Sequence, residues 1–186
     1  QSNQMEKKDR VMGILPGGGY AEYAVIQEDM AMALDPRFSY EEGASIPEVF
    51  LTAYQSIVWL AKLQPTETIL IHAGGSGVGT AAIQLANYLK ATCIITASKG
   101  KHKSCTSLGA EYCIDYASEN FKDIIHSKYE GVDVIIDFLG ACYFENNLKC
   151  LNADGRLVML ALMGGVRPND ISIAPIVLKR LQILGS

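Results

Sequence analysis

The 186 residues are 49% hydrophobic and 19% charged, enough apolar material for a packed core and too much for wholesale disorder. Sixteen basic against twenty acidic side chains give a net charge of -4, the wrong sign for a general nucleic-acid binder, whose footprint is a basic excess. No apolar run approaches the roughly 18 residues of a membrane span, and the start is polar and unlike a signal peptide, so one soluble domain, or one with an appendage, is expected.

In chain order, the first forty residues differ from the rest. Val11 to Leu15 is a short apolar run, and Pro16-Gly17-Gly18-Gly19 is a turn. Tyr20 to Ile26 (YAEYAVI) has the composition of a strand. A loop at Asp35-Pro36 and Ser39 leads to a short helical stretch from Glu41-Glu42, which Pro47 is expected to break. Thr52 to Leu63 carries apolar residues at 53, 57, 60 and 61, a helical spacing.

From Glu67 onward, apolar strand runs alternate with amphipathic helical patterns. The predicted strands are Thr68 to Ala73, Thr92 to Ala97, Tyr112 to Asp115, Val132 to Phe138, Arg156 to Leu162 and Leu181 to Leu184. Most are apolar almost throughout, as expected for strands covered by helices on both faces. Strand and helix repeated through six strands predict an α/β fold, a doubly wound parallel sheet of the Rossmann type.

Five cysteines, Cys93, Cys105, Cys113, Cys142 and Cys150, form no C-x-x-C pair, and His72, His102 and His126 add no metal-like spacing. Free thiols in a reducing, cytoplasmic compartment and no metal site are the resulting expectations.

The most informative stretch is Ile69-Leu-Ile-His-Ala-Gly-Gly-Ser-Gly-Val-Gly-Thr-Ala-Ala-Ile-Gln84, an apolar strand turning through glycines into a helix. A helix N-terminus presents unpaired N–H groups and a partial positive charge, which stabilise a phosphate. Thr80 and Ala81 follow Gly79, so the lysine of a nucleotide-triphosphate loop is missing, and the G-x-S-x-G spacing of a hydrolase elbow also fails. The dinucleotide fingerprint G-x-G-x-x-G fits as Gly74, Ser76 and Gly79, with serine at its middle position. A tight turn that needs glycine for backbone reasons alone is the plainer alternative.

The second strand bears on the choice of nucleotide. An NAD site usually places Asp or Glu about 20 residues past the glycines, on the ribose 2′-hydroxyl. Here the stretch reads Thr96-Ala-Ser-Lys-Gly-Lys-His-Lys103, with no acid and three lysines. Serine and lysine suit a 2′-phosphate through charge-assisted hydrogen bonds, so NADP(H) is favoured over NAD(H); a solvated basic helix start is the alternative. The other strand ends meant for the same cleft are Asp115-Tyr116, Phe138-Leu139-Gly140 and Leu162-Met163-Gly164-Gly165.

The loop 73–84, the segment Ile46-Pro-Glu-Val-Phe-Leu-Thr-Ala-Tyr54, the run Leu162-Met-Gly-Gly165 and the stretch Pro16-Gly-Gly-Gly-Tyr-Ala-Glu-Tyr23 together resemble the medium-chain dehydrogenase/reductase superfamily. They are most similar to its quinone oxidoreductase (zeta-crystallin-like) branch, and within it to the p53-inducible type. The resemblance implies that residues 1–45 are the end of a GroES-like β catalytic domain and that 46–186 form an NADP-binding Rossmann domain. It implies Thr52 near the nicotinamide and the phosphates, with Ser76, Gly77 and Val78 on the pyrophosphate. By the same resemblance Ser98, Lys101 and Tyr116 address the 2′-phosphate, Leu139 and Gly140 flank the nicotinamide ribose, and Met163, Gly164 and Gly165 pack by its amide. Zinc-dependent relatives carry a cysteine where Glu48 stands, which implies a metal-free reductase. Because family members extend beyond both ends, the chain is expected to be a fragment inactive by itself, with Gln1-Ser2 a tag remnant.

The implied reaction is hydride transfer from NADPH to a quinone or an activated alkene such as an enal. No side chain stands out as a general acid: Tyr20 and Tyr54 are possible contacts, and His72 reads as structural. The alternatives are an enoyl or alkenal reductase of the same superfamily and a crystallin-like NADPH-binding module without turnover. A methyltransferase would need an acid where Ser98-Lys99 stands. The last apolar run is expected to be an edge strand through which the protein forms a homodimer.

Overall fold

The computed structural model describes residues 6–168 and 170–186, which leaves Gln1-Ser2 outside the described residues. The chain divides into two compact units, residues 1–51 and 52–186.

In the first unit, β1 (Val11–Met12) pairs antiparallel with β2 (Met32–Ala33), Val11 opposite Ala33. Tyr20 to Ile26 forms no strand. Strand composition is only half of what a strand needs: β1 and β2 pair with each other, and Tyr20, Tyr23 and Val25 stand exposed. Helix α1 (Tyr40–Ala44) opens on a reciprocal cap: the Glu42 N–H donates to Ser39 Oγ at 3.1 Å, and the Ser39 N–H donates to the Glu42 carboxylate at 2.8 Å. Pro47 does not end helical structure; it starts α2 (Pro47–Tyr54), where its fixed φ suits a first turn.

Residues 52–63 are not one regular helix either. After α2 the chain widens into a π-helical stretch, Gln55–Leu60, in which the Ala61 N–H reaches back to the Ser56 carbonyl at 2.9 Å. Ser56 Oγ donates to the Thr52 carbonyl at 2.7 Å, a side-chain bond that competes with the regular ladder.

The second unit is built on a six-stranded sheet: β3 (Thr68–Ile71), β4 (Thr92–Ala97), β5 (Tyr112–Asp115), β6 (Val132–Asp137), β7 (Leu151–Met159) and β8 (Gln182–Gly185). Every pairing is parallel, and the spatial order is β5-β4-β3-β6-β7-β8. The connecting helices are α3 (Gly77–Tyr88), α4 (His102–Ser107), α5 (Phe121–Lys128), α6 (Ala141–Cys150) and α7 (Ala174–Leu178). Ile69, Leu70, Ile71, Ile94, Ile95, Ile135, Ile136, Leu157 and Val158 are all fully buried, which is why these runs show no alternation. β7 begins earlier and ends sooner than the predicted 156–162. Its register on β6 closes at Asp137 opposite Met159, and Leu160 then donates its N–H to the Asp137 carbonyl at 2.8 Å as the chain leaves the sheet.

The strand order reverses at β3, which pairs with β4 on one side and β6 on the other. Ligands of such sheets lie in the crevice outside the carboxyl ends of the strands at this point. Among the described residues, no helix is long and apolar enough to cross a membrane.

Candidate functional site

The glycine loop lies at that crevice. His72 ends the β3 run, Ala73 takes a left-handed conformation at φ +50°, and Gly74 to Ser76 lead into α3. Ser76 is the N-cap, its hydroxyl oxygen accepting the Gly79 N–H at 3.1 Å. Thr80, a turn further on, donates its N–H to the Ser76 carbonyl at 2.8 Å. The N–H groups of Gly77 and Val78, at the first two helical positions, have no acceptor within the helix. They and the positive end of the helix dipole face the position a phosphate takes in this motif.

The glycines have separate reasons. A Cβ on Gly74 would lie 2.6 Å from Ile95 Cβ, so this glycine lets the loop pack on β4. A Cβ on Gly79 would run into the Ala73 carbonyl oxygen and lie 2.7 Å from Gly74 Cα, so α3 can approach the loop only without a side chain there. At Gly75 the obstacle would be the Lys101 side chain, which crosses over that position.

Beside the loop is a cavity of about 150 Å³ lined by Ala73, Gly75, Ser76, Ala97, Ser98, Lys101 and Tyr116. Lys101 Nζ donates to the Gly75 carbonyl at 3.0 Å, which holds the ammonium at the loop. Ser98 sits at the end of β4, Lys101 closes the 3₁₀ turn Lys99–Lys101, and half-exposed Tyr116 follows β5. Of the three lysines in the predicted cluster, Lys101 alone lines this cavity. Asp115, the acid of the adjoining strand, is turned into its own loop, accepting the Ala117 N–H and the Ser118 hydroxyl at 3.1 Å each.

On the other side of β3, a second set of predicted residues comes together. Asp137 is fully buried at the end of β6, and its two carboxylate oxygens accept the N–H groups of Leu139 at 2.8 Å and Gly140 at 3.1 Å. Burial raises its pKa, the two backbone N–H groups working against that rise. The turn it holds takes Gly140 to φ +71°, where an added Cβ would lie 2.8 Å from the Gly165 carbonyl oxygen. The loop after β7 is laced to it: Met163 donates to Phe138 O at 3.1 Å, Gly164 to Leu139 O at 2.7 Å, and Ala141 to Gly165 O at 2.9 Å. Leu139, Gly140, Met163, Gly164 and Gly165 thus form one backbone-paired surface. Asp137 is not among the residues the sequence singles out; its signal is an acid closing an otherwise apolar run immediately before Phe-Leu-Gly.

The remaining candidates fall elsewhere. Thr52 lies in α2 and does not line the cavity. Tyr20 is exposed, and the Tyr54 ring packs edge-on against Trp59 with centroids 5.7 Å apart. His72 is fully buried, and burial lowers its pKa to about 4, so it is a neutral imidazole near pH 7. Among the described residues, no group of three His, Cys, Asp or Glu side chains is placed to hold a metal ion, so no step is assigned to one.

Residues 77–186 match the zinc-binding dehydrogenase family. The chain is 36% identical over 150 residues to the polyketide synthase GfsB of Streptomyces halstedii, a match covering 81% of this chain and 3% of that protein. Among solved structures, the quinone oxidoreductase of Thermus thermophilus, solved also as its complex with NADPH, superposes with a TM-score of 0.87 at 27% identity, over 98% of this chain and 58% of that one. The CurK enoyl reductase superposes with a TM-score of 0.75 at 30% identity, over 85% of this chain and 47% of that one. The chain therefore spans about half the length of the solved relatives and a small part of the synthase.

Proposed function

The chain belongs to the zinc-binding dehydrogenase family, within the medium-chain dehydrogenase/reductase superfamily of oxidoreductases, and from that premise we propose that it is the cofactor-binding part of an NADPH-dependent reductase. The observation that carries the choice of cofactor is the cavity at the end of β4, where Ser98, Lys101 and Tyr116 converge and no carboxylate lines the wall. A carboxylate there would accept from a ribose 2′-hydroxyl and repel a 2′-phosphate; an ammonium and two hydroxyls do the reverse.

The glycine cradle fits the diphosphate, because Gly74 and Gly79 bring the loop against β4 and α3 and leave the Gly77 and Val78 N–H groups pointing outward. Bound NADPH supplies a hydride to an electron-poor acceptor. This chain's part is to bind and orient. Lys101 would exchange its bond to the Gly75 carbonyl for one to the 2′-phosphate, and Ser76, by capping the Gly79 N–H, would leave the Gly77 and Val78 N–H groups for the diphosphate. The backbone-paired surface formed by Leu139, Gly140 and Met163 to Gly165, with the Met163 side chain exposed on it, would face the nicotinamide end. Thr52 is assigned to the same end on resemblance.

The acceptor class is a conjugated carbonyl or alkene. The Thermus thermophilus relative is a quinone oxidoreductase, which supports a quinone, and CurK is an enoyl reductase, which supports an α,β-unsaturated acyl group with equal weight.

The test is a fluorescence titration of the chain with NADPH and NADH. NADPH should bind at least ~10-fold tighter, one charge-assisted contact being worth about 1.5–3 kcal/mol. Lys101→Glu should close most of that gap while leaving NADH affinity nearly unchanged. Equal affinities in the unaltered chain would overturn the cofactor assignment. NADPH binding in the complete protein, without oxidation by any member of a panel of quinones and enoyl thioesters, would instead identify a binding module.

A further inference from the structure

Three bonded polar side chains lie beneath the glycine loop in a mostly apolar interior: His72 and Asn147 are fully buried and Thr96 is 2% exposed. His72 Nε2 is 2.8 Å from Asn147 Oδ1, and His72 Nδ1 is 3.1 Å from Thr96 Oγ1. With Asn147 Oδ1, which can only accept, placed toward the ring, the imidazole carries its proton on Nε2. Nδ1 is then a lone pair, and the Thr96 hydroxyl must donate to it.

That fixes the direction of the whole chain of bonds. With its proton committed to His72, Thr96 Oγ1 has lone pairs left, and it accepts the Ala73 N–H at 3.3 Å. The Thr96 carbonyl accepts the next amide, Gly74 N–H, at 2.9 Å. One residue on β4 therefore holds the first two amides of the loop, at the point where Ala73 adopts φ +50°, a conformation that a non-glycine residue keeps only when its surroundings impose it. The imidazole packs in a three-ring cluster with Phe121 of α5 and Tyr143 of α6, at centroid distances of 4.7 and 4.8 Å, and the His72 backbone N–H donates to the Ile136 carbonyl at 3.0 Å.

The network carries a cost, since Asn147 Nδ2 is buried with no acceptor among the described residues. We propose that Asn147, His72 and Thr96 are a positioning network for the glycine loop, in which Asn147 orients the imidazole, the imidazole orients the Thr96 hydroxyl, and Thr96 sets the pitch of Ala73 and Gly74 and thereby the affinity for the cofactor diphosphate. The last clause rests on the reading of the loop as an NADPH cradle; the first three do not. All three side chains are buried beneath the loop, so each acts through it.

Thr96→Val keeps the shape of the side chain and removes its hydroxyl, and Thr96→Ser restores the hydroxyl. Amide hydrogen exchange in the unliganded chain reads the loop directly. In Thr96→Val, exchange at Ala73 and Gly74 should rise at least ~10-fold more than exchange at Ile94 in the middle of β4, the scale of one net hydrogen bond. NADPH should bind ~10-fold more weakly, and Thr96→Ser should recover both. Exchange at Ala73 and Gly74 that follows Ile94, or no recovery with serine, would show a merely structural threonine and overturn the network. Should Thr96→Val fail to fold, Asn147→Leu leaves Thr96 in place and frees the imidazole. It should raise exchange at the same two amides, and an unchanged loop would overturn the proposal. If the unaltered chain binds no NADPH, the functional reading falls while the exchange measurements still decide the network.

Discussion

His72 makes the stability of this chain depend on pH in a defined window. Its imidazole is neutral in the folded chain because burial removes water from the charged form, which brings its pKa to about 4 against 6.5 for an ordinary histidine; the bond to Asn147 offsets this only in part. Between those values the unfolded chain takes up a proton that the folded chain refuses. Stability is therefore complete above about pH 6.5 and falls as pH drops toward 4, by about 3 kcal/mol in all at ~1.36 kcal/mol per pH unit. At pH 5 roughly 2 kcal/mol is already lost, a large part of the 5–15 kcal/mol typical of a domain. Asp137 acts in the opposite sense, since a carboxyl whose pKa is raised adds stability on acidification. The carboxyls of Asp35, held at about 2 by Arg37, and Asp154, held low by Arg180, titrate below this window. Urea midpoints at pH 7.5 and 5.0 should be compared between the unaltered chain and His72→Gln, which keeps a donor and an acceptor but cannot titrate. Subtracting the two pH responses cancels every other group. The unaltered chain should lose about 2 kcal/mol more than the variant; equal losses, or imidazole resonances of His72 that titrate near pH 6.5, would refute the reasoning.

Gly79→Ala should abolish measurable NADPH binding and lower the urea midpoint, because its methyl meets the Ala73 carbonyl oxygen; a variant that binds normally would refute the close helix–loop packing. Arg156 donates to both Glu67 carboxylate oxygens, at 2.9 and 2.7 Å, and to the Ala61 carbonyl at 2.9 Å, mostly out of solvent. Arg156→Met should therefore cost about 2 kcal/mol, and a double-mutant cycle with Glu67→Gln showing no coupling would contradict that estimate. β8 stands at the edge of the sheet with Ile183 and Leu184 half-buried, so a homodimer paired through this strand should appear in light scattering over a wide concentration range, and should weaken in Ile183→Lys; a monomer throughout would rule out that interface.

How much of this is legible in the sequence follows from what each signal depends on. Strands β3, β4 and β6 announce themselves because burial on both faces demands continuous apolar runs, and the dinucleotide loop because close packing demands glycine at 74 and 79. Tyr20 to Ile26 misleads because strand composition says nothing about a partner. The π-helical widening at 55–60 depends on the Ser56 hydroxyl choosing the Thr52 carbonyl, a choice without periodicity. Asn147 reads as a polar helix residue until α6 is laid over β3, and His72 as a buried histidine of no further interest until its hydrogen-bond direction is followed to Ala73. The lysine cluster reads as three equivalent charges; the backbone turn at 99–101 brings one of them over Gly75.

On the proposed reading, that last selection explains how a chain of net charge -4 can be suited to one of the most negatively charged of common cofactors. Long-range attraction is not required when a single ammonium is already at the loop. Lys101 is exposed but bound to a carbonyl, so its exchange of the Gly75 oxygen for a phosphate oxygen replaces a neutral acceptor with an anionic one at little conformational cost. A dinucleotide laid across the crevice would meet Ser98, Lys101 and Tyr116 on the β4 side of β3, and Leu139, Gly140 and Met163 to Gly165 on the β6 side. The diphosphate cradle at 74–79 stands between them. Under this proposal, cofactor choice and hydride geometry are set by residues on opposite sides of one strand. On the proposed reading, Lys101→Glu alters the preference between NADPH and NADH and leaves the orientation of the nicotinamide intact, while Asp137→Asn, which weakens the turn at Leu139 and Gly140, impairs turnover with either cofactor. A single substitution that moved both properties together would show that the two sides are coupled through the loop, and His72, bonded to both β4 and α6, is the residue through which that coupling would run.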